Sequence, residues 1–202
     1  MNYWRKKYLR GNTSNSQDKP HNKLTLLSLV IMLLNATYKL ILTLTPKYTL
    51  NGPLNGFIAI VYSKLEYYGS PIEINQLKSI AILSIPPITL YTCELIASLT
   101  MIMMLCKGRE ASTIIKLVFG LSLASMLMCG LIIGLTRSLD SIAQQLIINN
   151  NYVSNAGIIK FGETKVETAT ITTILANPTI MIFSETIHMV SSAMTYIKIC
   201  EQ

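Results

Sequence analysis

Four ionisable residues interrupt long apolar runs of this chain: Lys39, Glu94, Glu185 and His188. A charge in a hydrocarbon layer costs about 2.5–3.5 kcal/mol on insertion scales, so each requires a partner or a task. Two carboxylates, an ammonium and an imidazole could together serve an ion or proton path. The same set could equally form interhelical ion pairs and hydrogen bonds that fix the register of a bundle. Glu185 and His188 are three residues apart and so share a helix face. A Glu-x-x-His pair also occurs in di-iron bundles, which need two such motifs and two further carboxylates. The chain has one other histidine, His21, and it lies in a polar tail, so no metal and no other cofactor is expected.

Small residues form a second pattern. Gly130-Leu131-Ile132-Ile133-Gly134 is a GxxxG, preceded by Gly120 and Ala124 at the same spacing. In lipid, small residues every four positions let helices approach closely. Packing inside one bundle and packing between protomers are both open. The cysteines Cys93, Cys106, Cys129 and Cys200 lie in or beside apolar segments with no metal-ligand spacing. They read as small apolar residues, and Cys106 and Cys200, near membrane edges, are candidate lipidation sites. Met101, Met103, Met104, Met126 and Met128 read as adaptable core or lipid contacts. There is no P-loop, nucleophile elbow or HExxH, so the expectation is a non-enzyme.

These residues need elements to carry them. Hydrophobic residues make up 50% of the 202 residues and charged residues 13%, and the mean hydropathy is +0.44. Soluble domains carry about 25% charged residues, so an ordinary soluble enzyme is excluded. Four apolar blocks exceed the length needed to cross a bilayer. They run over about 24–45, 84–106, 112–136 and 170–196. The predicted fold is an all-α, four-helix transmembrane bundle behind a polar, basic, disordered tail, residues 1–23. Pro46 ends the first span. Pro86 and Pro87 fall near the first turn of the second, whose helix could begin as early as Ile74. Pro178 predicts a kink in the fourth. Spans two and three are joined only by Lys107–Ala111, which forces an antiparallel hairpin.

Two longer connections remain. Residues 46–78 hold the turn signals Asn51-Gly52-Pro53 and Asn55-Gly56, and an apolar run Phe57–Tyr62 too short to span. That run reads as an interfacial helix or strand. Residues 137–168 are polar, with turns at Asn149-Asn150-Asn151 and Asn155-Ala156-Gly157. The tail, the tight turn with Lys116, and Lys198 together hold ten Lys and Arg, against six in the long connections. The positive-inside rule then places both termini in the cytosol and both long connections outside it. In that orientation neither Asn12-Thr13-Ser14 nor Asn35-Ala36-Thr37 is open to glycosylation. The net charge of +7 is spent on orientation, and no basic stripe interleaved with aromatics suggests nucleic acid.

Several local features resemble the CD20-like, membrane-spanning 4-domain family. Pro86 precedes Ala97-Ser98-Leu99 at about that family's spacing. Ser122-Leu123-Ala124 with Gly130, and Glu185 six residues before Ser191, look similar in spans three and four. The Cys-Cys-Gly of tetraspanins and the Trp…Cys…Cys of claudins are absent. Span one departs from the resembled family in lacking its Gly and Gln pattern. The second long connection lacks the cysteines many members carry. The resemblance implies plasma-membrane residence, homo- or hetero-oligomers, and a role in signalling or channel modulation. An organelle membrane is the other compartment considered, because the chain is rich in Ile, Asn, Thr and Lys and has only 4 Phe. The expected partners are the lipid bilayer, further copies of the chain and other membrane proteins. The expected function is a non-catalytic, oligomerising tetraspan that organises or modulates a receptor, channel or larger complex. The alternative is an ion or proton channel or transporter subunit using Glu94, Glu185 and His188.

Overall fold

The computed structural model describes residues 20–107, 112–149, 151–154, 157–160, 162–169, 174 and 176–200. Most of the basic tail, the centre of the tight turn at Gly108–Ala111, Asn150, the Asn155-Ala156 turn and Thr170–Thr173 lie outside the described residues.

Four long helices dominate: α1 (Pro20–Leu44), α2 (Asn75–Cys106), α3 (Ser112–Asn149) and α4 (Pro178–Cys200). Thr25–Leu44, Asn75–Cys106 and Ile114–Leu146 are long and apolar enough to cross a membrane by length and composition, which marks a membrane protein. Each helix packs on two neighbours, in the ring α1–α2–α3–α4. In α3, Ile115, Val118, Ser122, Ser125, Cys129 and Ile132 are all buried. Their spacing of three and four residues is the inward stripe of a bundle helix.

The helix ends correct three expectations. Pro178 does not kink α4. Asn177 caps the helix, its Oδ1 accepting the Thr179 N–H at 2.9 Å, and Pro178 takes the first helical position, where a missing N–H costs nothing. Pro86 and Pro87 do not sit in a first turn but well inside α2, because the helix already starts at Asn75. The helix forgoes two backbone hydrogen bonds there, a defect that spanning helices tolerate when neighbours surround them. And α3 continues through the expected polar loop as far as Asn149, since Leu139, Ile142 and Leu146 extend its buried stripe.

The largest departure from an all-α fold is a five-stranded antiparallel sheet. The first long connection supplies β1 (Tyr48–Asn51), β2 (Leu54–Ile58), β3 (Ser63–Tyr67) and β4 (Ser70–Ile72). From the second come β5 (Asn151–Ser154) and β6 (Gly157–Lys160), which form a separate hairpin, and β7 (Lys165–Thr168). The order in the main sheet is β4-β3-β2-β1-β7, so the second connection closes onto the first. Leu50, Leu54, Ile58 and Leu65 point inward and share one core with Ile74, just before α2, with Leu77 and Ile80 of α2 and with Leu139, Ile142 and Leu146 of α3. The sheet therefore rests on one end of the bundle. The start of α1, the end of α2, the start of α3 and the end of α4 are at the other end.

Gly52-Pro53 forms the β1–β2 turn, as its composition indicates, and Tyr68-Gly69, both at positive φ, form the β3–β4 turn. Asn55-Gly56 is not a turn. Gly56 lies inside β2, paired with Leu50 on one side and Leu65 on the other. Its φ is +135°, and a Cβ there would stand 1.9 Å from the Lys64 carbonyl oxygen. Only glycine allows the strands to approach so closely.

Candidate functional site: a buried ionic layer

Two apolar cores fill the bundle. One, at the sheet end, includes Leu42, Tyr91, Cys129, Ile132 and Met181. The other, toward the termini, is built on Leu29, Met32, Ala97, Met101, Ile115 and Val118. Between them, at the level of Lys39 in α1, Glu94 in α2 and Glu185 in α4, lies a polar layer to which every helix contributes.

Lys39 sits at its centre. Its Nζ is 2.6 Å from Glu185 Oε1 and 3.5 Å from Glu94 Oε2, and it donates to Ser125 Oγ at 2.5 Å. The ammonium also stands 5.0 Å from the centroid of the Tyr91 ring, within cation–π range. Glu94 Oε1 faces His188 Nε2 at 2.5 Å, and Ser122 Oγ is 2.8 Å from the same nitrogen. Ser125 Oγ reaches Glu185 Oε1 at 3.5 Å. Glu94, His188, Ser122 and Ser125 have no exposed surface, and Lys39 and Glu185 are each 4% exposed. Beside the layer, Asn35 Oδ1, one turn before Lys39 in α1, accepts a hydrogen bond from Ser184 Oγ, the neighbour of Glu185 in α4.

All four ionisable residues singled out in the sequence are thus brought together. Lys39 reaches inward rather than snorkelling, because its two counter-charges lie at one depth. The ammonium and the imidazole each face a carboxylate, the kind of pairing that lets ionisable groups persist in low dielectric. Ser122 and Ser125 complete the layer and were not anticipated from α3, which reads as a packing helix. The available signal was their spacing of three residues on the line continued by Cys129 and Ile132. Among the described residues no group of His, Cys, Asp or Glu could hold a metal ion.

The small residues of α3 go elsewhere. Gly120, Gly130 and Gly134 are exposed, and a Cβ added at any of them would meet nothing within 4 Å; Ala124 is half-buried. Among the described residues nothing packs on the three glycines. Cys106 is exposed at the end of α2, Cys93 is exposed on its outer face and Cys129 is buried, all three unbridged; the Cys200 side chain lies outside the described residues.

A second polar contact fastens the sheet to the bundle. Lys47 Nζ is 2.5 Å from Asp140 Oδ1 of α3, and the Tyr48 hydroxyl donates to the same oxygen at 2.6 Å. Burial, then the hydrogen bond to Asp140, then the charge of that carboxylate push the Tyr48 phenol well above its ordinary range. The sequence offers no hint of this triad, since Asp140 lies 92 residues from Tyr48 in a stretch that reads as a polar connection. Comparison of the chain with protein-family models, with curated proteins and with solved structures finds no match.

Proposed function

We propose that this chain is a non-catalytic tetraspan of the plasma membrane, with α4 as its fourth span and both termini in the cytosol. In this reading it assembles laterally, with itself or with another membrane protein, and organises or modulates a receptor, channel or larger complex. The observation that carries the reading is the open glycine face of α3. A bilayer-facing helix gains nothing from glycine, which weakens a helix by about 1 kcal/mol relative to alanine. Three glycines with empty space above them suit a helix that receives a partner. The resemblance to CD20-like proteins supports the same reading, as does the ionic layer, whose charges are paired with one another.

A channel or transporter built on Glu94, Glu185 and His188 is the less favoured reading. Those groups are enclosed, and on the sheet side Leu42, Tyr91, Cys129, Ile132 and Met181 stand between them and the surface. The test is the native mass of the complex purified in mild detergent or nanodiscs. Gly130→Leu with Gly134→Leu should reduce the assembly to a smaller species while leaving its helix content intact. An unchanged mass would remove the α3 face from the proposal.

A further inference from the structure

We propose that the seam between α1 and α4 binds one anionic phospholipid, with an acyl chain in a crevice of the seam and the headgroup at the level of Lys23 and Lys198. The site lies at the end where α1 begins and α4 finishes, and it rests on the reading of α4 as a fourth span. The two helices meet there through small side chains. Ser28 Oγ of α1 and Thr195 Oγ1 of α4 lie against each other, and they stand 3.1 and 2.8 Å from the Ser191 carbonyl oxygen. The hydroxyls are thus spent on one another and on backbone, and the floor they form is apolar. Leu27 and Ile31 make the α1 wall and Met194 the α4 wall of a space of about 140 Å³.

Leu27 is 56% and Met194 44% exposed, so the crevice opens on the flank of the helices. For spanning helices that flank faces hydrocarbon. An apolar cavity of about 150 Å³ stays dry and accepts benzene, so a space of this size and lining suits hydrocarbon and not water. In a bilayer the hydrocarbon at hand is an acyl chain.

Depth and charge indicate which lipid. Ser28 is eight residues after Pro20 and Thr195 five before Cys200, or about 12 and 8 Å from the helix ends at 1.5 Å per residue. That is the depth of the upper acyl chain, just beneath the headgroups. In helical register Lys23 falls one turn before Leu27, and Lys198 one turn after Met194. A cationic position therefore stands over each wall. The sequence before Lys23 adds Arg5, Lys6, Lys7, Arg10 and Lys19 against Asp18 alone, and Lys107 and Lys116 are exposed at the same end of the bundle. Basic positions between spanning helices at the membrane surface favour anionic headgroups. At the sheet end of α1 the nearest cation, Lys47, is already paired with Asp140.

The experiment reconstitutes the full-length protein in nanodiscs of equal parts phosphatidylcholine and phosphatidylglycerol, releases it into mild detergent and weighs it by native mass spectrometry. The expected result is one phosphatidylglycerol retained per chain. Lys23→Gln with Lys198→Gln should lower the preference for it about tenfold. Leu27→Trp with Met194→Trp, at the exposed rim, should close the mouth and abolish retention of either lipid while leaving helix content intact. Equal retention of the two lipids by the unaltered chain, an annular lipid only, overturns the proposal, as does unchanged retention with the mouth closed. Should the rim variant fail to fold, the lysine pair decides, and an unchanged preference there overturns the site. A thiol probe separates this from failure of the fourth span: Met194→Cys, in a chain whose four cysteines are replaced by alanine, should resist a water-soluble maleimide in the nanodisc. Rapid modification would take α4 out of the bilayer and the site with it. Protection without a retained lipid would overturn the site and leave the span.

Discussion

At the scale of single residues, Lys39 decides whether the bundle interior is tolerable. Among the described residues it is the one cation that touches both carboxylates, at 2.6 and 3.5 Å. Lys39→Met leaves Glu185 without a counter-charge, and breaking one side of a buried pair costs about 3–5 kcal/mol. Lys39→Met combined with Glu185→Gln should recover much of that loss, because the orphaned charge is gone. Reversible unfolding in mixed micelles would compare the two, and equal stability of the single and double variants would show that the ion pair is not what holds the helices. Tyr48 makes a pH prediction. Its folded-state value lies above the ordinary 10.0, so the hydrogen bond to Asp140 contributes fully below about pH 10. That contribution fades as pH rises further. The stability gap between wild type and Tyr48→Phe, read from thermal melts at several pH values, should therefore narrow above pH 10. A gap that stays constant would show that phenol ionisation does not load this contact.

At the scale of elements, the helices were legible because their signal is long. Blocks of twenty or more apolar residues survive any local ambiguity. The strands were not legible. None exceeds five residues, and β1 buries Leu50 alone, between exposed Thr49 and Asn51. Such segments have no periodicity to read, and partners elsewhere in the chain make them strands. Gly56 shows the cost of reading composition alone, since Asn-Gly is a common turn pair but here serves strand contact. Gly56→Ala should disrupt β2–β3 pairing, because its Cβ would strike the Lys64 carbonyl and its φ is wrong for a side chain. Gly69→Ala, also at positive φ but in open space, should cost only about 1 kcal/mol. Hydrogen exchange of the β2 and β3 amides would rank the two. Equal protection in both variants would mean that the close approach at Gly56 relaxes freely.

At the scale of the whole molecule, the up-and-down course of the helices gathers both long connections at one end, as four successive spans require. How they join there could not be read, because it rests on β1 meeting β7 across a sequence separation of 118 residues at Thr49 and Glu167. That pairing also constrains the order in which the molecule can be made. While the chain emerges, β1 to β4 can form beside α1 and α2, but β1 stays an open edge through the synthesis of all of α3. Closing so long a loop is slow, and an unpaired edge accepts any strand of matching hand. During that interval the β7 of a neighbouring copy is chemically identical to the chain's own. Whether subunits emerge separate or exchanged is then a contest between local concentration in the membrane and the time taken to translate about one hundred residues.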